Sequence, residues 1–293
     1  MKLQGVFSAL TTPFDEDGEL LGEKVIENVR KLNDVPLSGY AVCGSTGETP
    51  MLSLDERVHL MECVREASGD GKTLIAGLAS DSVHESVRIA NRAAELGYHF
   101  ALALTPFYYR NHMGRPETQL RYYREVADRS KIPVLLYNMP GVSSYDLPVA
   151  IISELSRHPN IVGIKDSCGN LEKLKETLGA VESGFQVLSG SGANFGEAVE
   201  AGAAGAILAI TNAVPRATVS VWEAFRSGRL EVAREWQARI VPFARAIAAK
   251  HGIPGIKSAM DMNGFYGGPP RLPFVRPGDE AREEISQVLQ GLV

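Results

Sequence analysis

Short apolar runs rich in β-branched residues alternate along this chain with longer stretches whose apolar positions recur at helical spacing. The runs lie at 6–11, 39–43, 73–78, 100–104, 133–137, 161–165, 186–189 and 205–210. Nearly continuous apolar sequence, in place of strict alternation, is the mark of parallel strands buried on both faces by helices. Ser53-Leu54-Asp55-Glu56 and Ser82-Val83-His84-Glu85 carry capping-box spacing, and Gly97 follows an apolar period, so helices are predicted at about 53–68 and 82–96. Beyond 210 the pattern turns wholly helical, near 217–228, 230–250 and 254–262. A regular count of eight strands favours an α/β fold closed as a (β/α)8 TIM barrel over its rival, an open doubly wound sheet. Residues 1–228 are expected to form the barrel. Residues 229–293 are expected to form a C-terminal helical extension packed on it, since no Pro/Gly/Ser-rich linker sets them apart.

Composition narrows the function classes. The chain has 293 residues, 44% of them hydrophobic, and a formal net charge of −5, with acids and bases interleaved along the helices. No basic field is available for nucleic acid, so no such partner is expected. Cys43, Cys63 and Cys168 are odd in number and far apart, which fits reduced thiols better than a disulfide framework. Met1-Lys2-Leu3-Gln4-Gly5-Val6 lacks the apolar core of a signal peptide, and no run is long enough to cross a bilayer. A cytoplasmic enzyme with no membrane partner is the expectation. The six histidines are scattered, with no two at ligand spacing beside a carboxylate, and no metal is expected.

The chemistry centres on Lys165. It ends the apolar run Ile161-Val162-Gly163-Ile164-Lys165, and Tyr137 ends the comparable run Val134-Leu135-Leu136-Tyr137. An ammonium held among apolar side chains is harder to keep charged, which frees a neutral amine to attack a ketone, and a tyrosine hydroxyl beside it can carry protons. The plain alternative is a lysine that ends a strand and snorkels to solvent. Barrel chemistry belongs at the carboxyl ends of the strands, and Gly44-Ser45-Thr46-Gly47-Glu48 leaves the second run there. Its amides and hydroxyls offer donors to a small carboxylate, or it is an ordinary tight turn, with Glu48 serving the next helix start. Gly190-Ser191-Gly192 reads as a turn or a weak anion site. Cys168 is a conceivable thiol nucleophile without a histidine in its own segment to activate it.

Taken together, Gly44-Ser45-Thr46-Gly47-Glu48, Tyr137-Asn138-Met139-Pro140 and Gly163-Ile164-Lys165-Asp166-Ser167 resemble the dihydrodipicolinate synthase and N-acetylneuraminate lyase superfamily of pyruvate-dependent class I aldolases. The likeness spans the chain, from Leu10-Thr11-Thr12-Pro13-Phe14 to Gly252-Ile253-Pro254-Gly255-Ile256-Lys257. It implies that Lys165 forms an imine with pyruvate and that Tyr137 shuttles protons. It further implies a relay through Ser45 to Tyr108 of a neighbouring subunit. Thr46 in the turn begun by Gly44 would hold the pyruvate carboxylate, and Ile207 would line the pocket. None of these roles needs a cofactor. The implied assembly is a homotetramer, a dimer of dimers, and the implied partners are small 2-oxo acids and aldehydes.

The second substrate divides the superfamily. Dihydrodipicolinate synthases resemble one another in an arginine two residues beyond the proline of the tyrosine motif, where it meets the carboxylate of aspartate semialdehyde. This chain has Val142 there. Lys165-Asp166-Ser167 also departs from the sialic acid lyase pattern, whereas Tyr108-Tyr109-Arg110, His158-Pro159-Asn160-Ile161-Val162-Gly163 and Gly264-Phe265-Tyr266-Gly267-Gly268-Pro269 look most like the 4-hydroxy-2-oxoglutarate aldolase branch. The resemblance therefore puts cleavage of 4-hydroxy-2-oxoglutarate to pyruvate and glyoxylate first, with Ser143 or Ser167 meeting the glyoxylate carboxylate. Dihydrodipicolinate synthesis is the alternative. A non-catalytic 2-oxo acid sensor is a remoter one, opposed by the presence of Lys165, Tyr137, Ser45 and Tyr108.

Overall fold

The computed structural model describes residues 3–292, with side chains described throughout that range except at 248 and 249. Eight parallel strands pair in chain order: β1 (Gly5–Ala9), β2 (Gly39–Val42), β3 (Thr73–Gly77), β4 (Phe100–Leu104), β5 (Val134–Asn138), β6 (Ile161–Asp166), β7 (Gln186–Ser189) and β8 (Gly205–Leu208). β8 bonds back to β1, so the sheet closes into a (β/α)8 barrel. Two apolar layers result. Phe7, Ile75, Leu102, Leu135, Leu188 and Ile207 fill the barrel, while the alternate strand residues pack outward against the helices.

Both β1 and β8 end earlier than their apolar runs suggest. Asn212 explains this. Its Nδ2 donates to Ala9 O and Ala209 O, both at 2.7 Å, and its Oδ1 accepts from Thr11 N at 3.3 Å. A side-chain amide thus takes over backbone groups that further ladder bonds would have satisfied. Ser53 forms the predicted capping box with Glu56 on the helix Leu54–Ala67. Ser82 makes only half of its own: it accepts from Glu85 N, but the Glu85 carboxylate turns to Arg88 at 2.9 and 3.1 Å. Gly97 stops that helix in the left-handed region, at φ +78°.

The C-terminal region forms Leu230–Ala246, a wider helical turn at Ile247–His251, and Gly252–Met262. A further helix, Asp279–Leu289, was not anticipated, because only a few of its positions, Ile285 and Leu289 among them, are apolar and buried. Ile240, Phe243, Ile285 and Leu289 share the outer core of the barrel. Polar ties add to this packing. The Tyr266 hydroxyl donates to Phe14 O at 2.9 Å, and the Arg271 guanidinium reaches Gly18 O, Met51 O and the Glu56 carboxylate. Among the described residues no helix is long and apolar enough to cross a membrane.

The Arg271 contact, together with bonds from Ser53, holds the Glu56 carboxyl at about 2, well below its ordinary 4.5. A carboxyl whose folded value is depressed contributes stability that is present above the unfolded value and lost as pH falls through the folded one. Glu56→Gln should therefore cost about 1.5–3 kcal/mol near neutral pH, the range for hydrogen bonds to charged groups. Urea unfolding of parent and variant should show this gap shrinking as the pH is lowered from 4.5 toward 2. A gap independent of pH would mean that the pair contributes only shape.

Candidate active site

Lys165 and Tyr137 meet because β6 slips against β5. Val134 pairs with Ile161, but Leu135 pairs with Gly163, so β6 carries one extra residue and the next pairs are Tyr137 with Lys165 and Asn138 with Asp166. Without that bulge Lys165 would stand opposite Asn138, on the outward face. With it, Lys165 points into the barrel, 5% exposed, and its Nζ lies 4.3 Å from the centre of the Tyr137 ring. Bulges commonly re-aim side chains beside active sites. Gly163 makes this one possible, since a Cβ there would stand 2.4 Å from Gln186 O.

The Tyr137 hydroxyl donates to Met139 Sδ at 2.8 Å and lies 3.5 Å from Ser45 Oγ, at the limit of a hydrogen bond. Ser45 and Thr46 sit on the tight helical turn Ser45–Gly47 after β2, and a Cβ at Gly44 would meet nothing within 4 Å. That open approach faces hydroxyls and turn amides. Cys43 and Glu48, on either side, both adopt left-handed backbone at φ 57° and 55°. Glu48 does not serve a helix start, as the sequence suggested. Its carboxylate turns inward to Lys257, with Oε1 2.7 Å from Nζ and both side chains fully buried. Burial pulls the Lys257 ammonium down to about 8, against the opposing pull of Glu48.

Outside the barrel wall, the residues that directly follow Tyr137 and Lys165 are joined. Asn138 Nδ2 donates to Asp166 Oδ1 at 3.0 Å and to Asp146 Oδ1 at 2.8 Å, and Lys173 bonds Asp146. Asp166 Oδ2 is buried 3.9 Å from Lys173 Nζ without a hydrogen bond. The slip in β6 puts Asn138 and Asp166 on one face; their partners Asp146 and Lys173, from a loop and a helix, had no local signal. Cys168 is no nucleophile in this setting. Burial, reinforced by Asp166, pushes its thiol up to about 12.

The remaining candidates separate. Ile207 is buried among the inner side chains of β8. Ser167 stands beside Lys165: a Cβ added to Gly190 would lie 1.8 Å from Ser167 Oγ and 3.1 Å from Lys165 Cε. Gly190, read from sequence as part of a turn, is thus a wall of the site. Ser143 is 2% exposed and its hydroxyl is already committed, donating to Tyr145 O and Met139 O and accepting from Tyr145 N. It closes a turn and is not free for a substrate carboxylate. Tyr108 stands apart, 75% exposed and stacked edge-on against Tyr109. Asp81 fixes its loop by accepting from Phe107 N and Tyr108 N at 3.0 and 2.7 Å. Among the described residues no cluster of histidine, cysteine and carboxylate side chains is placed to hold a metal.

Comparison with known proteins agrees with the barrel fold. The model of the dihydrodipicolinate synthetase family matches residues 2–292. The 4-hydroxy-tetrahydrodipicolinate synthase of Methanothrix thermoacetophila is 34% identical over 288 residues, covering 98% of this chain and 96% of the relative. That of Symbiobacterium thermophilum is 34% identical over 287 residues, covering 97% and 96%. Among solved structures, the dihydrodipicolinate synthase of Bacillus anthracis superposes with a TM-score of 0.94 at 27% identity, covering 100% of this chain and 99% of that one. The Thermotoga maritima enzyme gives 0.92 at 26%, covering 99% of each.

Gly190→Ala should push the Ser167 hydroxyl and the Lys165 stem out of place without touching the apolar core. Activity on any substrate handled at Lys165 should fall at least about tenfold, since small misplacements at a reacting centre can cost up to 10²-fold. The thermal midpoint should move by only a few degrees. Parental turnover in this variant would show that Gly190 is spacing for the turn alone.

Proposed function

The chain belongs to the dihydrodipicolinate synthetase family, whose members are pyruvate-dependent class I lyases, and from that premise we propose that Lys165 forms the imine with pyruvate. The observation that carries this is a buried amine facing into the barrel 4.3 Å from the ring of Tyr137. The Lys165 amine attacks the ketone carbon, and loss of water leaves a protonated imine. A proton then leaves the pyruvate methyl and an enamine forms; its carbon attacks an aldehyde, and hydrolysis returns the free lysine. Cleavage runs these steps backwards. Tyr137 moves the protons at each stage.

Three further roles follow from the positions of the donors. Thr46 and the turn after Gly44 hold the pyruvate carboxylate. Ser45, 3.5 Å from the Tyr137 hydroxyl, is the first link of a proton relay. Tyr108 of a second copy is the next link, which accounts for an exposed tyrosine on a loop fixed by Asp81. The assembly is then a homotetramer in which the site is shared across a dimer. Ser167, beside Lys165, meets the oxygens of the second substrate.

The names of the relatives favour condensation of pyruvate with aspartate semialdehyde, the 4-hydroxy-tetrahydrodipicolinate synthase reaction, over the cleavage that the sequence put first. Condensation is accordingly the first reading. A second reading, cleavage of 4-hydroxy-2-oxoglutarate, rests on Val142, which is 37% exposed on the short helix Pro140–Ser143 and can offer no hydrogen bond to a carboxylate. Under the first reading another donor must meet the aspartate semialdehyde carboxylate.

Borohydride added with pyruvate should fix the imine as a stable adduct on Lys165, located by mass mapping. An adduct on Lys257 instead, or none from a folded and active enzyme, would remove the mechanism. Tyr137→Phe keeps the ring and deletes the hydroxyl, so kcat should fall about 10²- to 10⁴-fold with a smaller change in KM.

For the acceptor, purified enzyme with pyruvate and equal concentrations of each aldehyde should consume aspartate semialdehyde faster than glyoxylate. Faster use of glyoxylate would transfer the assignment to the cleavage reading. In that case Val142→Arg should raise the relative kcat/KM for aspartate semialdehyde about 10- to 100-fold, since hydrogen bonds to charged groups contribute roughly 1.5–3 kcal/mol.

A further inference from the structure

Lys257 lies far along the chain from the site, in the helix Gly252–Met262, yet it ends beside the turn that faces pyruvate. Its Nζ makes the ion pair with Glu48, donates to Pro269 O at 2.8 Å, and sits 4.5 Å from the centre of the Phe14 ring. Glu48 Oε2 in turn accepts from Arg271 N at 2.8 Å, and the Arg271 guanidinium covers the same Phe14 ring at 4.4 Å. A buried ion pair is weak evidence for stability, because removing two charges from water costs about what their attraction returns. What the pair does hold is geometry. Glu48 is a non-glycine residue in left-handed backbone, a conformation that costs on the order of 1–3 kcal/mol and persists only where its surroundings over-determine it. Two hydroxyls also support the turn: Thr12 Oγ1, just beyond β1, donates to Gly47 O at 2.6 Å, and Thr49 Oγ1, next to Glu48, donates to Gly44 O at 2.7 Å.

We propose that Lys257 is a positioning residue for pyruvate: through Glu48 it holds the Ser45–Gly47 turn in the shape that presents Thr46 to the substrate carboxylate. The C-terminal extension is then part of the substrate-binding machinery rather than a cover for the barrel. The inference rests on the reading of that turn as the pyruvate cradle and of Lys165 as the imine-forming lysine. It adds a pH dependence. The charged groups that face Lys257 are Glu48 on the turn, Asp261 on its own helix, and Arg271 and Arg276 on the segment that follows. Loss of the Lys257 proton above about 8 leaves Glu48 buried without its counter-charge. The turn loosens and pyruvate binds less well.

The test is the pyruvate concentration that gives half-maximal borohydride trapping on Lys165, compared between the full-length parent and Glu48→Gln/Lys257→Met. The double variant removes both charges and keeps similar volumes, so neither partner is left alone in the interior. Half-saturation should rise at least about tenfold while the maximal trapping rate changes less than about threefold, the signature of a lost binding interaction rather than lost chemistry. Between pH 7 and 9 half-saturation should climb in the parent relative to the double variant. Glu48→Asp, which keeps the charge and tolerates the left-handed backbone, provides a second reading if the double variant does not fold; its shorter reach should raise half-saturation about threefold or more. Adduct formation with parental half-saturation in either folded variant overturns the inference alone. A parent chain that forms no Lys165 adduct overturns it together with the imine mechanism.

Discussion

One extra residue in β6 sets the rest of the site. In a parallel pair the faces alternate strictly, so a slip of one position exchanges the inside and the outside of everything downstream. Ile161 and Val134 both face the helices; four residues later an unslipped pairing would have sent Lys165 the same way. Instead Gly163 absorbs the irregularity where a side chain would collide with Gln186 O, and Lys165 arrives on the inner face with Tyr137. The same slip aligns Asn138 with Asp166 on the outer face. The Lys165–Tyr137 pair and the hydrogen-bonded pair behind it are therefore two consequences of one register.

Those two faces hold each other in place by different physics. On the inside, Tyr137 is packed among Leu135, Leu188 and Ile207, and close packing fixes its ring better than any single bond. On the outside, Asn138 joins the buried Asp166 to the exposed Asp146, and Lys173 supplies positive charge to both carboxylates. Asp166 Oδ2 is still left without a hydrogen bond, a cost that a purely structural wall would have no reason to carry. Asp166 lies one residue beyond Lys165, at the end of β6.

Much of this was legible in the sequence, and what was not has a common cause. Continuous apolar runs gave the eight strands, and the ends of two of them gave Lys165 and Tyr137, because burial and strand position are local properties. The Ser53 capping box was local too, and it formed; Ser82 formed half of one because Glu85 had Arg88 within reach one turn along. The misread residues were those whose partners lie far away in the chain. Asn212, about 200 residues along the chain from β1, trims its end from the turn that follows the neighbouring β8, and Glu48 finds Lys257 rather than a helix start. Ser143 was misread for the opposite reason, since its hydroxyl is consumed by Met139 and Tyr145, its near neighbours in the turn. Gly190 could have been found: a glycine directly after a strand that ends beside the lysine is where close approach is needed, and only the size of Ser167 shows how close.

Lys165 and Val142 belong to separable parts of the fold. The β5–β6 register, the β2 turn and the glycine wall at 190 are all held by buried contacts on several strands. Val142 is different. It lies half exposed on a short helix whose shape is set by Pro140, by the Ser143 hydroxyl and by left-handed backbone at Ser144, none of which depends on the side chain at 142. A cation or an apolar group can be exchanged there without disturbing the lysine or its tyrosine. Relatives sharing a third of their residues over the whole chain are thus firm evidence for the family and its pyruvate-dependent lyase chemistry, and weaker evidence for the aldehyde. The side chain at 142 is one that the barrel leaves free to vary.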